Sequence, residues 1–221
     1  EYEIEAEFSH EFIKNSSPGF AYQPIVASGK NNNVLHYIKN NGVCKSGDLV
    51  LIDVGAEYGN YSSDMTRTIP VSGKFSKRQR EVYNAVLKVK REATNLLTPG
   101  TLWKEYHHEV GKIMSSELIS LGLLTKSEVK NQNPKDPAYK KYFMHGTSHH
   151  LGLDTHDYGL IDEPMKENMV FTVEPGIYLP KEGFGIRLED DVVIKEKGKV
   201  ENLMKNIPID PNEIEELMSK N

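Results

Sequence analysis

Four carboxylates and a cluster of histidines stand out in this sequence because of where they sit. Asp53 breaks an otherwise apolar run at 48–54 (D-L-V-L-I-D-V), where an unpaired carboxylate is costly. Asp64 follows in Y-S-S-D-M-T-R-T-I, and Glu57-Tyr58-Gly59-Asn60 between the two runs reads as a tight hairpin. A turn on Tyr58-Gly59 sets Asp53 opposite Asp64, with Cβ atoms about 4.5–5.5 Å apart. Like charges that close are unfavourable unless a cation lies between them. Solvated strand acids, or one acid paired with Arg67, are the alternatives for this pair alone.

A second hairpin repeats the arrangement. Glu174 ends the apolar run V-F-T-V-E-P-G, and Glu189 lies in G-I-R-L-E-D-D-V-V-I. A turn around Lys181-Glu182 makes these two acids cross-strand partners. Between the hairpins lies H-G-T-S-H-H-L-G-L-D-T-H-D, holding His145, His149, His150 and His156. A lone histidine is an ordinary structural residue, but several in one stretch between two acid hairpins suggest ligation. Oxygen-rich sites with one imidazole suit Mn²⁺ and tolerate Co²⁺ or Zn²⁺. Four carboxylates and one histidine are what two divalent ions about 3.5–4 Å apart require. The chemistry implied is metal-assisted hydrolysis.

The elements that must position these groups are legible in outline. Ile4, Phe8 and Phe12 recur at helical spacing within 2–15, forming an amphipathic helix whose stripe packs on a sheet. Residues 22–28 read as a short strand leading into an Asn-rich loop at 31–33. Ser76 and Gln79 form a capping-box pattern that opens a helix stopped by Pro99-Gly100. A second helix spans about 102–121, and a polar stretch at 124–141 reads as surface loop with some helix. Strands follow at about 168–178 and 184–194. Asp210 as cap and Pro211 at the first position start a terminal helix. Hairpins alternate with helices without repeated βαβ units, which predicts an α+β fold.

Composition bounds the rest. The 221 residues are enough for one domain with a substantial core. A net charge of −5 without a basic stripe in the linear sequence argues against nucleic acid as a partner. No apolar run is long enough for a membrane helix, so no membrane association is expected. The single cysteine, Cys44, cannot form an internal disulfide and fits a reducing, cytoplasmic setting. No signal peptide is visible, although the sequence opens at Glu1 without a methionine.

The blocks D-V-G-A-E-Y…D-M-T-R-T-I-P, M-H-G-T-S-H-H-L-G-L-D-T-H-D, T-V-E-P-G-I-Y and G-I-R-L-E-D-D resemble those of the pita-bread metallopeptidases. Their order and spacing are most similar to the Xaa-Pro aminopeptidase (aminopeptidase P) family, and the resemblance runs from about residue 2 to residue 215. It implies the pita-bread fold: a curved antiparallel sheet backed by helices, in two pseudo-symmetric halves, with residues 1–221 as a single catalytic domain. It implies two divalent metal ions, Mn²⁺ above Co²⁺ or Zn²⁺, held by Asp53, Asp64, His149, Glu174 and Glu189. Asp64 and Glu189 take the bridging positions.

The same resemblance implies that His36 lines the substrate pocket and that His145 and His156 contact the scissile carbonyl and the proline side. Arg187 matches an arginine near the metal-bound acids, and Glu174 takes the role of proton shuttle. His150 stands where relatives often carry an aromatic and is assigned no catalytic role, nor are His10, His107 and His108. The expected substrates are peptides with proline at the second position. A prolidase acting on Xaa-Pro dipeptides and a non-catalytic binding module on the same scaffold are the rivals. Relatives of this type carry a further N-terminal domain, which often takes part in oligomerisation, so a homo-oligomer is compatible with the reading.

Overall fold

The computed structural model describes residues 1–220, Lys197 by its backbone alone. Helix α1 (Tyr2–Lys14) leads into strands β1 (Gly19–Phe20) and β2 (Ile25–Ser28), then a 3-10 turn at Gly29–Asn33. The first acid hairpin comprises β3 (Leu49–Val54), β4 (Ala56–Tyr58), β5 (Tyr61–Ser62) and β6 (Met65–Pro70). Helices α2 (Lys77–Leu96), α3 (Trp103–Ser120) and the short α4 (Lys126–Lys130) follow. The second hairpin holds β7 (Val170–Val173), β8 (Gly176–Leu179), β9 (Phe184–Arg187) and β10 (Asp190–Ile194), with β11 (Val200–Asn202) and α5 (Pro211–Met218) closing the chain.

The ladders are antiparallel throughout, in the orders β2-β3-β6, β1-β4-β5, β8-β9 and β11-β10-β7. The α+β expectation holds. Successive side chains of a strand point to opposite faces, and this decides where Asp53 goes. Val50, Ile52 and Val54 of β3 face α1, where Ile4, Phe8 and Phe12 cover them. Burying each of these helix side chains contributes about 1–2 kcal/mol. Leu49, Leu51 and Asp53 take the other face, turned toward the second half. The main core lies there, built from Val82, Val86, Val89 and Ala93 of α2, Tyr106, Val110, Met114 and Leu118 of α3, and the inner side chains of β7–β10.

The predicted capping box of α2 forms in full: Ser76 Oγ accepts from the Gln79 amide, and Gln79 Oε1 accepts from the Ser76 amide. Asp210 caps α5 by accepting from the Asn212 amide. Glu1 anchors the start in a way its position did not foretell. Its buried carboxylate accepts from the Ser28 amide and hydroxyl, the Gly42 amide and the Tyr37 hydroxyl. Burial opposes ionisation there, but these donors outweigh it and hold the group down at about 2. No helix among the described residues is long and apolar enough to cross a membrane.

Two expectations about the hairpins need correction. The first turn lies on Gly59-Asn60, with φ of +58° and +68°, because both central residues of such a turn need the left-handed region, which Gly and Asn tolerate. The ladder is therefore shifted by two residues, and Asp53 pairs with Thr66 instead of Asp64. The second register is as expected: Gly176 pairs with Arg187 and Val173 with Asp190, placing Glu174 and Glu189 at matching positions. However, 168–178 and 184–194 are not continuous strands. Each breaks at its acid, between β7 and β8 at Glu174-Pro175 and between β9 and β10 at Leu188-Glu189. The Asn-rich stretch is a 3-10 turn, whose Asn32 side chain donates to the Gly185 carbonyl (3.1 Å).

Candidate metal centre

The breaks in the ladders are where the site is built. Asp53 stands one residue before the end of β3, and Asp64 lies in the gap between β5 and β6. An amide released from a ladder must find another acceptor if buried, and here the acceptors come from other parts of the site. The Asp64 amide donates to Asp191 Oδ2 (3.0 Å), the Glu189 amide to the Thr66 carbonyl (3.0 Å) and the Glu174 amide to the Thr147 carbonyl (2.8 Å). Gly55 permits the crossing of chains: a Cβ there would meet the Ser63 carbonyl oxygen at 1.7 Å.

All nine residues singled out from the sequence line one cleft of about 940 Å³: His36, Asp53, Asp64, His145, His149, His156, Glu174, Arg187 and Glu189. At its floor one donor atom each from Asp64, His149 and Glu189 lies within 4.8 Å of the other two. His149 Nε2 is 3.4 Å from Asp64 Oδ2 and 3.8 Å from Glu174 Oε1. Its Nδ1 lies 2.9 Å from the His150 carbonyl, which can only accept. In the neutral ring the proton is therefore on Nδ1, which leaves the Nε2 lone pair free for a metal, the tautomer a ligand needs.

Asp53 and Asp64 are not laid out as a direct cross-strand pair. Instead the Tyr22 hydroxyl lies 2.5 Å from Asp53 Oδ1 and 2.7 Å from Asp64 Oδ1. It carries one proton and so donates to one of them at a time. Arg187 spans the other side, donating from Nη2 to Asp53 Oδ2 (2.5 Å) and from Nη1 to the Tyr178 hydroxyl (2.9 Å). Thr66 Oγ1 donates to Glu189 Oε2 (2.6 Å). Arg67, weighed as a partner for one of the acids, pairs instead with Asp190 (2.6 Å).

The electrostatics fit a cation-binding floor. Burial, then Asp64, Glu174 and Asp53, push the Glu189 carboxyl well above the usual range. Glu174 is raised to about 7, mainly by burial, with Arg187 and His149 pulling down and Asp64 and Asp53 pushing up. Burial raises Asp53 too, against the pull of Arg187. Burial alone would lower His149, but Asp64, the His150 carbonyl and Glu174 raise it. Buried carboxylates that hold their protons this strongly against one another are short of positive charge. A divalent cation supplies it, and the all-oxygen-plus-imidazole donor set suits one.

The remaining histidines separate by environment. His145 Nδ1 lies 2.8 Å from the Gly146 carbonyl, so it is the donor there, and Nε2 accepts from the Tyr178 hydroxyl (2.8 Å). Both of its nitrogens are thus engaged, and burial followed by Arg187 pushes it down to about 3, leaving it neutral. His156 packs edge-on against His149, ring centroids 4.4 Å apart. His150 stacks on Trp103 at 5.6 Å and 10°. Sequence reasoning missed Tyr22, Thr66, Tyr178 and Asp191. Only Asp191, in the run E-D-D, carried any local signal.

With this geometry established, comparison with known proteins is specific. The chain is 44% identical over 230 residues to the Xaa-Pro aminopeptidase of Escherichia coli, covering 99% of this chain and 52% of that protein. It is 41% identical to the Xaa-Pro aminopeptidase of Haemophilus influenzae, covering 99% and 53%. Among solved structures, zinc-substituted E. coli aminopeptidase P in complex with product superposes with a TM-score of 0.92 at 44% identity, covering 100% of this chain and 52% of that one. The pita-bread expectation for the fold is met on that likeness. The chain spans about half the length of the curated relatives it matches. A model of metallopeptidase family M24 matches residues 1–196, and the chain belongs to that family.

Proposed function

We propose that this protein removes the first residue from peptides whose second residue is proline, using two divalent cations, Mn²⁺ ahead of Co²⁺ or Zn²⁺. The observation that carries the reading is the convergence of Asp53, Asp64, His149, Glu174 and Glu189 on one cleft that His36, His145 and His156 also line. The two relatives named Xaa-Pro aminopeptidase lend it support. These five residues would hold the metal. When bound, a divalent cation makes water a nucleophile near neutral pH and polarises a carbonyl.

The protein's own groups supply the rest. Glu174, a carboxylate on the cleft wall beside His149, would take a proton and return it to the leaving proline nitrogen, acting first as base and then as acid. The His156 ring, which lines the cleft and makes no hydrogen bond to the described residues, would donate to the carbonyl oxygen as negative charge develops. His145, with both nitrogens engaged, shapes the proline side of the cleft. Asp53, held by Arg187, presents negative charge to a substrate's free amino terminus. His36 lines the pocket wall.

The test is hydrolysis of Gly-Pro-Ala against Gly-Pro by metal-stripped protein titrated with Mn²⁺. Mn²⁺-dependent release of glycine from the tripeptide, with little dipeptide cleavage, is expected. Dipeptide-only cleavage would replace this reading with a prolidase. Failure to bind metal would remove it altogether.

A further inference from the structure

A second large cleft lies on helix α3, of about 1030 Å³, and its charge is opposite to that of the metal centre. Lys104, Lys112, Lys130, Lys135 and Lys140 stand around it, against one lining carboxylate, Glu105. Lys112 is paired with Glu109 (2.7 Å). The other four lysines have no carboxylate partner within 4.0 Å among the described residues. In a protein of net charge −5, this local excess arises because the fold brings α3 against the 129–140 segment.

The walls below the lysines are apolar. Ile119, Val129, Pro134, Pro137 and the flank of Tyr139 line them. Gly111 and Ser115 keep that side of α3 low, and a Cβ on Gly111 would meet the Tyr139 ring at 2.6 Å. Uncompensated like charges around an apolar hollow are unfavourable for the free protein on both counts. A ligand relieving both must carry negative charge and apolar side chains together.

We propose that this groove is a docking site for an acidic peptide segment with interspersed aliphatic residues. Two observations favour a peptide over nucleic acid. The lining holds lysines but no arginine, whereas Arg is the residue over-represented where phosphate is recognised by paired hydrogen bonds. Its lining also holds no phenylalanine or tryptophan, and its one tyrosine, Tyr139, is buried, so the large aromatic faces on which bases stack are missing there. The groove adjoins the metal centre from behind: His107 in its wall lies 3.4 Å from Thr147 Oγ1, within the H-G-T-S-H segment.

The experiment is fluorescence anisotropy with a labelled, N-acetylated octapeptide of glutamate and leucine lacking proline. Having neither a free amino terminus nor proline, it is not a substrate of the proposed reaction, so its binding is read independently of that reading. Binding is expected, weakened about tenfold or more in Lys104→Glu/Lys135→Glu/Lys140→Glu, weakened by salt, and weakened when leucine is replaced by serine. These lysines are exposed, so the triple variant should fold, and its far-UV circular dichroism checks this. Equal binding by the triple variant, tighter binding of an oligo-dT probe than of the peptide, or no binding by the unmodified protein would each overturn the proposal.

Discussion

Removing one of the clustered charges should stabilise the metal-free protein, and the structure fixes how much and at which pH. Glu174→Gln keeps the shape of the side chain and deletes its ionisation. In the folded protein burial, reinforced by Asp64 and Asp53, lifts this carboxyl from 4.5 to about 7. Its side chain is 19% exposed, so solvent screens it little. A carboxyl raised on folding binds more protons in the native than in the unfolded state across that window. Native stability is therefore lost as pH rises from 4.5 to about 7 and stays lost above it.

At about 1.4 kcal/mol per pH unit, ionised Glu174 costs the fold on the order of 3 kcal/mol. For a domain of this size that corresponds to roughly 6–12 °C in melting temperature. Thermal unfolding of EDTA-treated protein, followed by circular dichroism, should show the variant more stable than the wild type at about pH 8 and equal to it at about pH 4. Asp191, pushed to about 8 mainly by burial, titrates in both proteins and cancels in the difference. Mn²⁺ at about a thousandfold excess over Kd should reverse the order, because the wild type alone keeps the full ligand set and gains about 4.1 kcal/mol, more than ionised Glu174 costs. A metal-free variant no more stable than the wild type at the higher pH, or a difference that persists at the lower one, would refute this account of the site.

Other expectations are more local. Asp64→Asn should lose bound metal, measured by elemental analysis, and lower kcat/KM by more than the roughly 10–100-fold typical of residues that only support a ligand. Tyr22→Phe, which removes the hydroxyl shared by Asp53 and Asp64, should weaken metal affinity by about 10–100-fold in a chelator competition while the fold is kept. His36→Ala should raise KM more than it lowers kcat in a tripeptide assay. Gly55→Ala places a Cβ 1.7 Å from a backbone oxygen; it should destabilise by about 3 kcal/mol or more in urea unfolding, since neither chain can move without breaking the hairpin.

How far the residues themselves announced this arrangement depended on whether the determining interaction was local. The caps on α2 and α5 were legible because a cap is decided within four residues. The second hairpin's register was legible because its loop is marked by Pro180 and Gly183, the latter with φ of +78°. The first was misplaced by two residues because E-Y-G-N admits two centres, and only the requirement for two left-handed residues selects Gly59-Asn60. Pro175 hinted at the break beside Glu174, since proline cannot donate to a ladder, but nothing comparable marks Leu188-Glu189. Tyr22 and Tyr178 were illegible for another reason. Each acts through a partner far along the chain, and a tyrosine in or beside a strand looks the same whether its hydroxyl is free or bridging two carboxylates.

The breaks in the strands explain why the acids had to come from separate hairpins. In an unbroken ladder every amide is committed to its neighbouring strand, and a row of buried carboxylates has nothing to hold it but solvation it cannot reach. Here the amides of Asp64, Glu174 and Glu189 are released and each bonds another part of the site: Asp191 of the second hairpin, Thr147 of the histidine segment and Thr66 of the first hairpin. Thr172 adds a fourth tie, its amide donating to the His149 carbonyl (3.0 Å). The ligand-bearing segments are thus fixed by one another, so no acid can reach its position until the two hairpins and the histidine segment have docked. The repulsion among the carboxylates opposes that docking, and the buried helices and the backbone ties together outweigh it. The backbone ties hold these carboxylates close to one another, and a divalent cation bound among them would relieve their repulsion.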